Sequence, residues 1–207
     1  MRFLLARLRM VLRLIWDGEL YGPGLIRAFL VVPRHHFVTP ENHWRAYSEG
    51  AFEVCDGQPI TCPGFHARML SLLSLSPGDR VLDIGTGTGY QVALLVALGC
   101  DVVSVEIRPK VHAFARENLA RTGFDRCALV LGTGASGVPE HAPYDAIIMG
   151  CAPAQVPTSL LEQLARGGRL VAPEGEADTI QRLVVYRRVG ERFEREVIRS
   201  AWFVPMA

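Results

Sequence analysis

Hydrophobic positions along the chain follow first a helical period, then none, then an alternation of strand and helix. Apolar residues recur at helical spacing over residues 1–16 and 24–32. The second run stops before Pro33, whose ring disfavours helix in the residue ahead of it. Residues 33–63 lose any period and are rich in Pro, Gly and His, which predicts a loop-dominated stretch. Phe65, Met69, Leu70, Leu72 and Leu73 predict a helix over 64–75, ended by Pro77-Gly78. Short apolar runs then predict strands at 80–84, 102–106, 128–131, 144–149 and 169–172. Helical patterns lie between them at 89–98, 110–121 and 157–166, the last stopped by Gly167-Gly168. Two further strand-like stretches, 180–187 and 195–204, leave little room for a helix between them. This alternation predicts an α/β fold: a doubly wound, mostly parallel sheet with helices on both faces. The closing pair predicts an antiparallel edge. A single domain is expected over 1–207, with N-terminal helices and a loop in 1–75 and the sheet in 76–207.

Bulk properties narrow the function classes. A hydrophobic content of 49% with 21% charged residues suits an ordinary soluble domain. A net charge of +1 implies no general attraction to nucleic acid. No apolar run reaches the roughly 18 residues that a transmembrane helix needs. The five cysteines show no C-x-x-C spacing, so a reduced, cytoplasmic, monomeric protein without a structural metal is expected. His35, His36 and His43 lie close in sequence but lack ligand spacing on one face. Residues 1–16 carry four arginines, and a secretory signal would have an unbroken apolar core instead. Arg2, Arg9 and Arg13 share one helical face, with Arg7 off it. A helix packed on the domain with its arginines in water is one reading. A basic amphipathic helix touching a membrane surface is the other.

The chemistry concentrates at Val81-Leu82-Asp83-Ile84-Gly85-Thr86-Gly87-Thr88-Gly89-Tyr90. An apolar run with one acid breaks into three glycines at alternate positions. A second apolar run, Val102-Val103-Ser104-Val105, ends in Glu106. Strand, glycine turn, helix and a strand ending in an acid form a unit that grips an adenosine. The glycines bring backbone close to the ligand and admit no side chain facing it, and the acid accepts the ribose hydroxyls. The spacing is G-x-G-x-G, not the G-x-G-x-x-G that seats a pyrophosphate on a helix N-terminus. It therefore suits a cofactor without phosphates, S-adenosylmethionine. Candidate cofactor contacts are Asp83, Gly85, Thr86, Gly87, Gly89, Tyr90, Glu106 and Ile107, with Gly132 and Thr133 after the third strand. Gly150-Cys151-Ala152-Pro153 should reach the same edge after the fourth. Upstream, Asp56 to Pro63 forms a loop stiffened by two prolines and a glycine, and a plain connecting role is its alternative reading. It presents the Thr61 hydroxyl and the Cys62 thiol, with no neighbour in sequence that would activate the thiol.

These segments together resemble the protein-L-isoaspartate O-methyltransferase family along nearly the whole chain. The family's V-P-R-x-x-F-V is Val32 to Val38 here, and its G-Q-T-I-S-x-P loop is Gly57 to Pro63. Its L-E-I-G-T-G-S-G-Y-Q turn is Leu82 to Gln91, its A-P-[FY]-D-A-I-I is Ala142 to Ile148, and its closing F-V-P-[LM] is Phe203 to Met206. The run Ala152 to Pro173 matches as well. The loop and the ending are far more specific to the family than the glycine turn. The resemblance implies methyl transfer from S-adenosylmethionine to the stray carboxylate of isoaspartyl residues in aged proteins and peptides. The ester then collapses to a succinimide that can reopen correctly. It also implies a catalytic position at Thr61, where the family has serine, and a substrate loop including Gln58, Ile60, Cys62 and His66. Four positions depart from the pattern. Besides Thr61, Pro59 replaces a threonine, Thr133 replaces an aspartate that faces the adenine amino group, and Glu53-Val54-Cys55 replaces P-I-G. Glu53 would set a carboxylate near a carboxylate substrate. These departures keep two alternatives open: a methyltransferase with another carboxylate substrate, and a non-catalytic binding module on the same fold.

Overall fold

The computed structural model describes residues 1–206. Helices α1 (Arg2–Trp16) and α2 (Pro23–Val31) lead into two short 3-10 turns at Arg34–Phe37 and Pro40–Arg45. A hairpin of β1 (Phe52–Cys55) and β2 (Gln58–Ile60) follows, then α3 (Pro63–Leu73). The sheet strands are β3 (Arg80–Ile84), β4 (Asp101–Glu106), β5 (Ala128–Leu131), β6 (Tyr144–Met149), β7 (Leu164–Glu174), β8 (Gln181–Val189) and β9 (Arg192–Ala201). Between them run α4 (Tyr90–Leu98), α5 (Pro109–Thr122) and α6 (Thr158–Glu162). The sheet order is β5-β4-β3-β6-β7-β8-β9, parallel up to β7 and antiparallel at β8 and β9. Strand order thus reverses between β3 and β6, which opens a crevice at their carboxyl ends.

Side-chain alternation divides the apolar strands between two cores. Val81, Val102, Ala146, Ile148 and Val171 face α1 to α4, while Leu82, Val103, Ile147, Met149 and Leu170 face α6. Helix α4 is apolar nearly all round because α2 covers its outer side. Gly99 at φ +94° and Gly123 at φ +74° close α4 and α5 in the left-handed conformation that glycine adopts freely.

The structure corrects the expected elements in four places. The stretch 33–63 holds a hairpin as well as turns, with Asp56 and Gly57 both at positive φ in its two-residue turn. The helix expected over 157–166 ends at Glu162, and β7 runs through Gly167-Gly168 with a register irregularity opposite Tyr144/Ala146. The last strand begins at Arg192 and stops at Ala201, and beyond it the tail forms an Ala152–Pro205 bridge. The arginines of α1 are not all in water. Arg7 donates to the Val31 carbonyl at 2.9 Å, and Arg13 pairs with Glu49 at 2.6 Å.

Candidate active site

The crevice is lined by the turn after β3, the tips of β4 and β6, strand β2 and the tail beyond β9. Gly85, Gly87 and Gly89 all take positive φ, at +94°, +56° and +86°. The Gly85 and Thr86 amides both donate to the Val105 carbonyl, at 2.9 and 3.2 Å, which ties the turn to β4. Crowding differs among the glycines. A Cβ on Gly87 would meet nothing nearer than the Gly85 carbonyl at 3.8 Å, so its backbone angle is the protein's own constraint there. A Cβ on Gly89 would press on Leu119 at 3.2 Å and on the Ala115 carbonyl at 3.3 Å. Gly89 therefore serves the packing of α4 on α5 and stands off the cavity wall.

Glu106 ends β4 with its side chain on that wall, only 6% exposed. One carboxylate oxygen accepts from the Gly87 amide at 3.0 Å and the other from the Arg108 amide at 3.0 Å. A carboxylate has about four lone-pair sites, so each oxygen keeps one for a further donor. Glu106 forms no ion pair among the described residues. Arg108, the only lysine or arginine on the wall, is itself paired with Asp56 at 3.7 Å. The free acceptor sites thus suit a pair of ribose hydroxyls, and the wall offers no cation cluster for a pyrophosphate. Asp83 lies behind the turn, fully buried, and accepts from Ser104 Oγ and Gln91 Nε2 at 2.6 Å each. Burial pushes its carboxyl up to about 6 against those hydrogen bonds. Asp83 therefore fastens β3, β4 and α4 together and does not reach the cavity.

The opposite wall carries Gln58, Pro59, Ile60, Thr61 and His66. Its frame is a buried cation. Arg34, with no exposed surface, donates to the Ala46 carbonyl through Nε at 2.7 Å and to the Thr61 carbonyl through Nη2 at 2.6 Å. Its guanidinium sits 4.7 Å from the ring centroid of Tyr90. The Tyr90 ring meets His66 edge-on at 5.3 Å. Burial, with Arg34 adding to it, pushes the His66 imidazole down to about 3 and keeps it neutral. Burial likewise raises the thiol of Cys62, the residue at the N-terminal boundary of α3 and off the wall, and keeps it unionised. The third wall is the tail. Val204, Pro205 and Met206 line the cavity, held by Ala152 N–H to the Val204 carbonyl and Met206 N–H to the Ala152 carbonyl, both at 2.8 Å. The buried Gln181 amide clasps Phe203 from both sides, accepting from its N–H at 2.7 Å and donating to its carbonyl at 3.1 Å.

The cavity wall thus unites Thr61, Gln58, Ile60 and His66 with Gly85, Thr86, Gly87, Tyr90, Glu106 and Ile107. Asp83, Gly89 and Cys62 support it from outside. Gly132 and Thr133 lie beyond the wall, with Thr133 exposed and its hydroxyl accepting from the Ala135 amide at 3.4 Å, while Gly134 lines the cavity. Glu53 is exposed on β1 opposite Pro59 and does not itself line the cavity. The clamping roles of Arg34 and Gln181 do not follow from the sequence alone. For Arg34 the one available signal is a charge set between the apolar pairs Val31-Val32 and Phe37-Val38. Nothing in the local sequence marks Gln181.

Residues 7–207 match the sequence profile of the family described as protein-L-isoaspartate(D-aspartate) O-methyltransferase (PCMT). The protein-L-isoaspartate O-methyltransferase of Aeropyrum pernix is 43% identical over 97% of this chain and 79% of its own length. That of Halorhodospira halophila is 45% identical over 88% of this chain and 83% of its own. A solved protein-L-isoaspartate O-methyltransferase superposes with a TM-score of 0.86 at 28% identity, over 97% of this chain and 66% of that one. A structure from Plasmodium falciparum, a putative member in complex with S-adenosyl-L-homocysteine, shares the fold with a TM-score of 0.83 at 22% identity, over 96% and 97%. With a glycine turn, a strand-end acid and a threonine-bearing loop around one cavity, and with relatives of this kind along its length, the chain belongs to the protein-L-isoaspartate O-methyltransferase family.

Proposed function

We propose that this cavity methylates the α-carboxylate of L-isoaspartyl residues in aged proteins and peptides, with Thr61 as the residue that orients the carboxylate. The observation that carries this reading is a single cavity bordered both by Glu106, whose carboxylate oxygens keep free lone pairs, and by Thr61. When bound, S-adenosylmethionine supplies a methyl carbon on a sulfonium, already a good leaving group. A carboxylate is already a nucleophile at neutral pH, so the chain's task is alignment. Glu106 takes the ribose hydroxyls, and Gly85, Thr86 and Gly87 give the backbone approach. Ile107, 43% exposed beyond Glu106, offers an apolar face to the adenine. Thr61 donates its hydroxyl to the incoming carboxylate. Its backbone cannot drift, because Arg34 holds its carbonyl. Gln58, Ile60 and neutral His66 shape the space beside it, and the Val204–Met206 tail keeps bulk water from the third side. Thr133 belongs to the outer rim in this reading and takes no part in adenine recognition. No step needs an ionised cysteine or a metal ligand from the chain.

The same reading places the enzyme in the cytoplasm as a single-domain monomer that does not bind nucleic acid. Five free thiols and a net charge of +1 support it. The decisive experiment offers S-adenosylmethionine with an isoaspartyl peptide or its aspartyl twin. Methyl transfer to the isoaspartyl peptide alone is expected. Cofactor binding without transfer to either peptide would replace this reading with the non-catalytic module.

A further inference from the structure

Helix α1 is apolar on two sides, and only one of them is used by the fold. Met10, Val11 and Leu14 are buried against the domain, with Phe3 packed beside them. Leu4, Leu5, Leu8, Leu12, Ile15 and Trp16 are exposed, Leu12 by 60% and Trp16 by 90%. At about 100° per residue these six fall within a stripe roughly 120° wide. Arg2, Arg9 and Arg13 fall within about 40° of one another along one border of that stripe. Arg13 is tied to Glu49, whereas Arg2 and Arg9 form no ion pair or side-chain hydrogen bond among the described residues. Residues 2–16 contain no acidic side chain.

We propose that α1 lies in the surface of an anionic lipid bilayer, its leucine stripe in the acyl boundary and Arg2 and Arg9 among the headgroup phosphates. The charge pattern selects this occupant. A contiguous exposed apolar stripe of this size calls for a partner. An antiparallel second copy packed stripe to stripe would bring two arginine rows together, and in neither orientation does the partner helix carry an acid to meet them. A plane of phosphates beside acyl chains matches the row and the stripe at once. Leucines on one face, arginines at its edge and a tryptophan at the end are the composition of helices that lie in an interface. The helix has 15 residues and does not qualify as a membrane span. The site described above takes no residue from α1, so this surface is a property of the chain beyond its chemistry.

Flotation of the full-length protein tests the proposal, with vesicles of equal parts phosphatidylglycerol and phosphatidylcholine against vesicles of phosphatidylcholine alone. Wild type should float with the first and stay behind with the second. Removing each free arginine should weaken partitioning about five-fold, so the Arg2→Gln/Arg9→Gln protein should lose roughly 25-fold. The Leu8→Glu/Leu12→Glu protein should lose at least about ten-fold from apolar transfer alone. All these positions are exposed, and melts by circular dichroism check that the variants fold as wild type does. Failure of wild type to float with anionic vesicles would overturn the proposal. So would equal recovery with neutral vesicles, or undiminished flotation of the leucine variant. A wild-type dimer in lipid-free solution that the leucine variant splits would assign the stripe to a second copy instead.

Discussion

Glu106→Gln should separate the ribose contact from every other feature of the cavity. The substitution keeps the shape and removes the charge and one acceptor. In the native site one oxygen faces the Gly87 amide and the other the Arg108 amide, both at 3.0 Å. Whichever way the new amide turns, its NH2 group faces one of those N–H donors, and one ribose hydroxyl loses its acceptor. A lost hydrogen bond to a charged group is worth about 1.5–3 kcal/mol, so S-adenosylhomocysteine should bind roughly ten- to 150-fold more weakly. The orphaned backbone donor should cost about 1–3 kcal/mol of stability. For a chain of this size each kcal/mol lowers Tm by roughly 2–4 °C. Titration calorimetry with S-adenosylhomocysteine, together with a thermal melt of the ligand-free protein, reads both effects. Unchanged affinity in the folded variant would refute the placement of ribose at Glu106 and with it the orientation of the cofactor.

At Thr61, serine should keep turnover and valine should lower it roughly five- to a hundred-fold, the worth of one positioning hydrogen bond of about 1–3 kcal/mol. Turnover on an isoaspartyl peptide at saturating cofactor decides this, and a valine variant as fast as wild type would leave the hydroxyl without a role. Arg34→Met should leave the Ala46 and Thr61 carbonyls without their donor, at about 1–3 kcal/mol for each one orphaned. Turnover should then fall while S-adenosylhomocysteine affinity holds, and full turnover in the folded variant would show that the clamp does not position the loop. His66 stays neutral when folded down to about 3, but the unfolded chain protonates it near its ordinary value of 6.5. Only the unfolded state gains that proton between these values, so stability falls as pH drops through the window. Urea melts of a His66→Leu variant should show a shallower acid slope there, and superimposable slopes would contradict it. Gly89→Ala should cost more than Gly87→Ala. Both incur about 1–2 kcal/mol for a side chain at positive φ, but only at Gly89 does the new Cβ meet Leu119 and the Ala115 carbonyl. Equal urea midpoints for the two variants would negate that difference.

The sheet was legible because its apolar runs are continuous and punctuated by glycine. Strands 80–84, 128–131 and 144–149 emerge with the expected bounds. The β1–β2 hairpin was missed for two reasons. Its strands are short, and Pro59 breaks the alternation that would reveal one of them. Yet Asp56-Gly57 is the residue pair that a tight hairpin turn favours. The helix over 157–166 was overextended because Gly167-Gly168 looks like a stop, whereas the backbone there passes straight into an irregular β7. At the site, Glu106 and the glycine turn could be read from the residues, since a strand–turn–helix–strand unit fixes the distance between them. Thr61 entered through the family loop, because a lone threonine carries no local signal. The Arg34 clamp joins segments 27 residues apart and the Gln181 clasp segments 22 apart. No period records a pairing of that kind. Thr133 and Glu53 are placed near the site only by their alignment with family motifs, and both are exposed residues outside the cavity lining.

The cavity is built from distant parts of the chain, and this bears on when the enzyme comes into being as it folds. The β2–α3 segment supplies one wall and the tail after β9 another. They meet through the Phe65–Phe203 ring contact at 5.3 Å, and Glu19, which pairs with Arg68 of α3, also pairs with Arg199 of β9, 180 residues away from it. Contacts of such separation close slowly and late. A folding intermediate with only the parallel strands in place would possess the floor of the site and neither side. In the proposed site the ribose contact at Glu106 belongs to that floor, so it is the alignment of the carboxylate at Thr61 that waits for the last long-range contacts to close. An enzyme whose substrates are damaged chains is thereby inert until its own chain has finished folding.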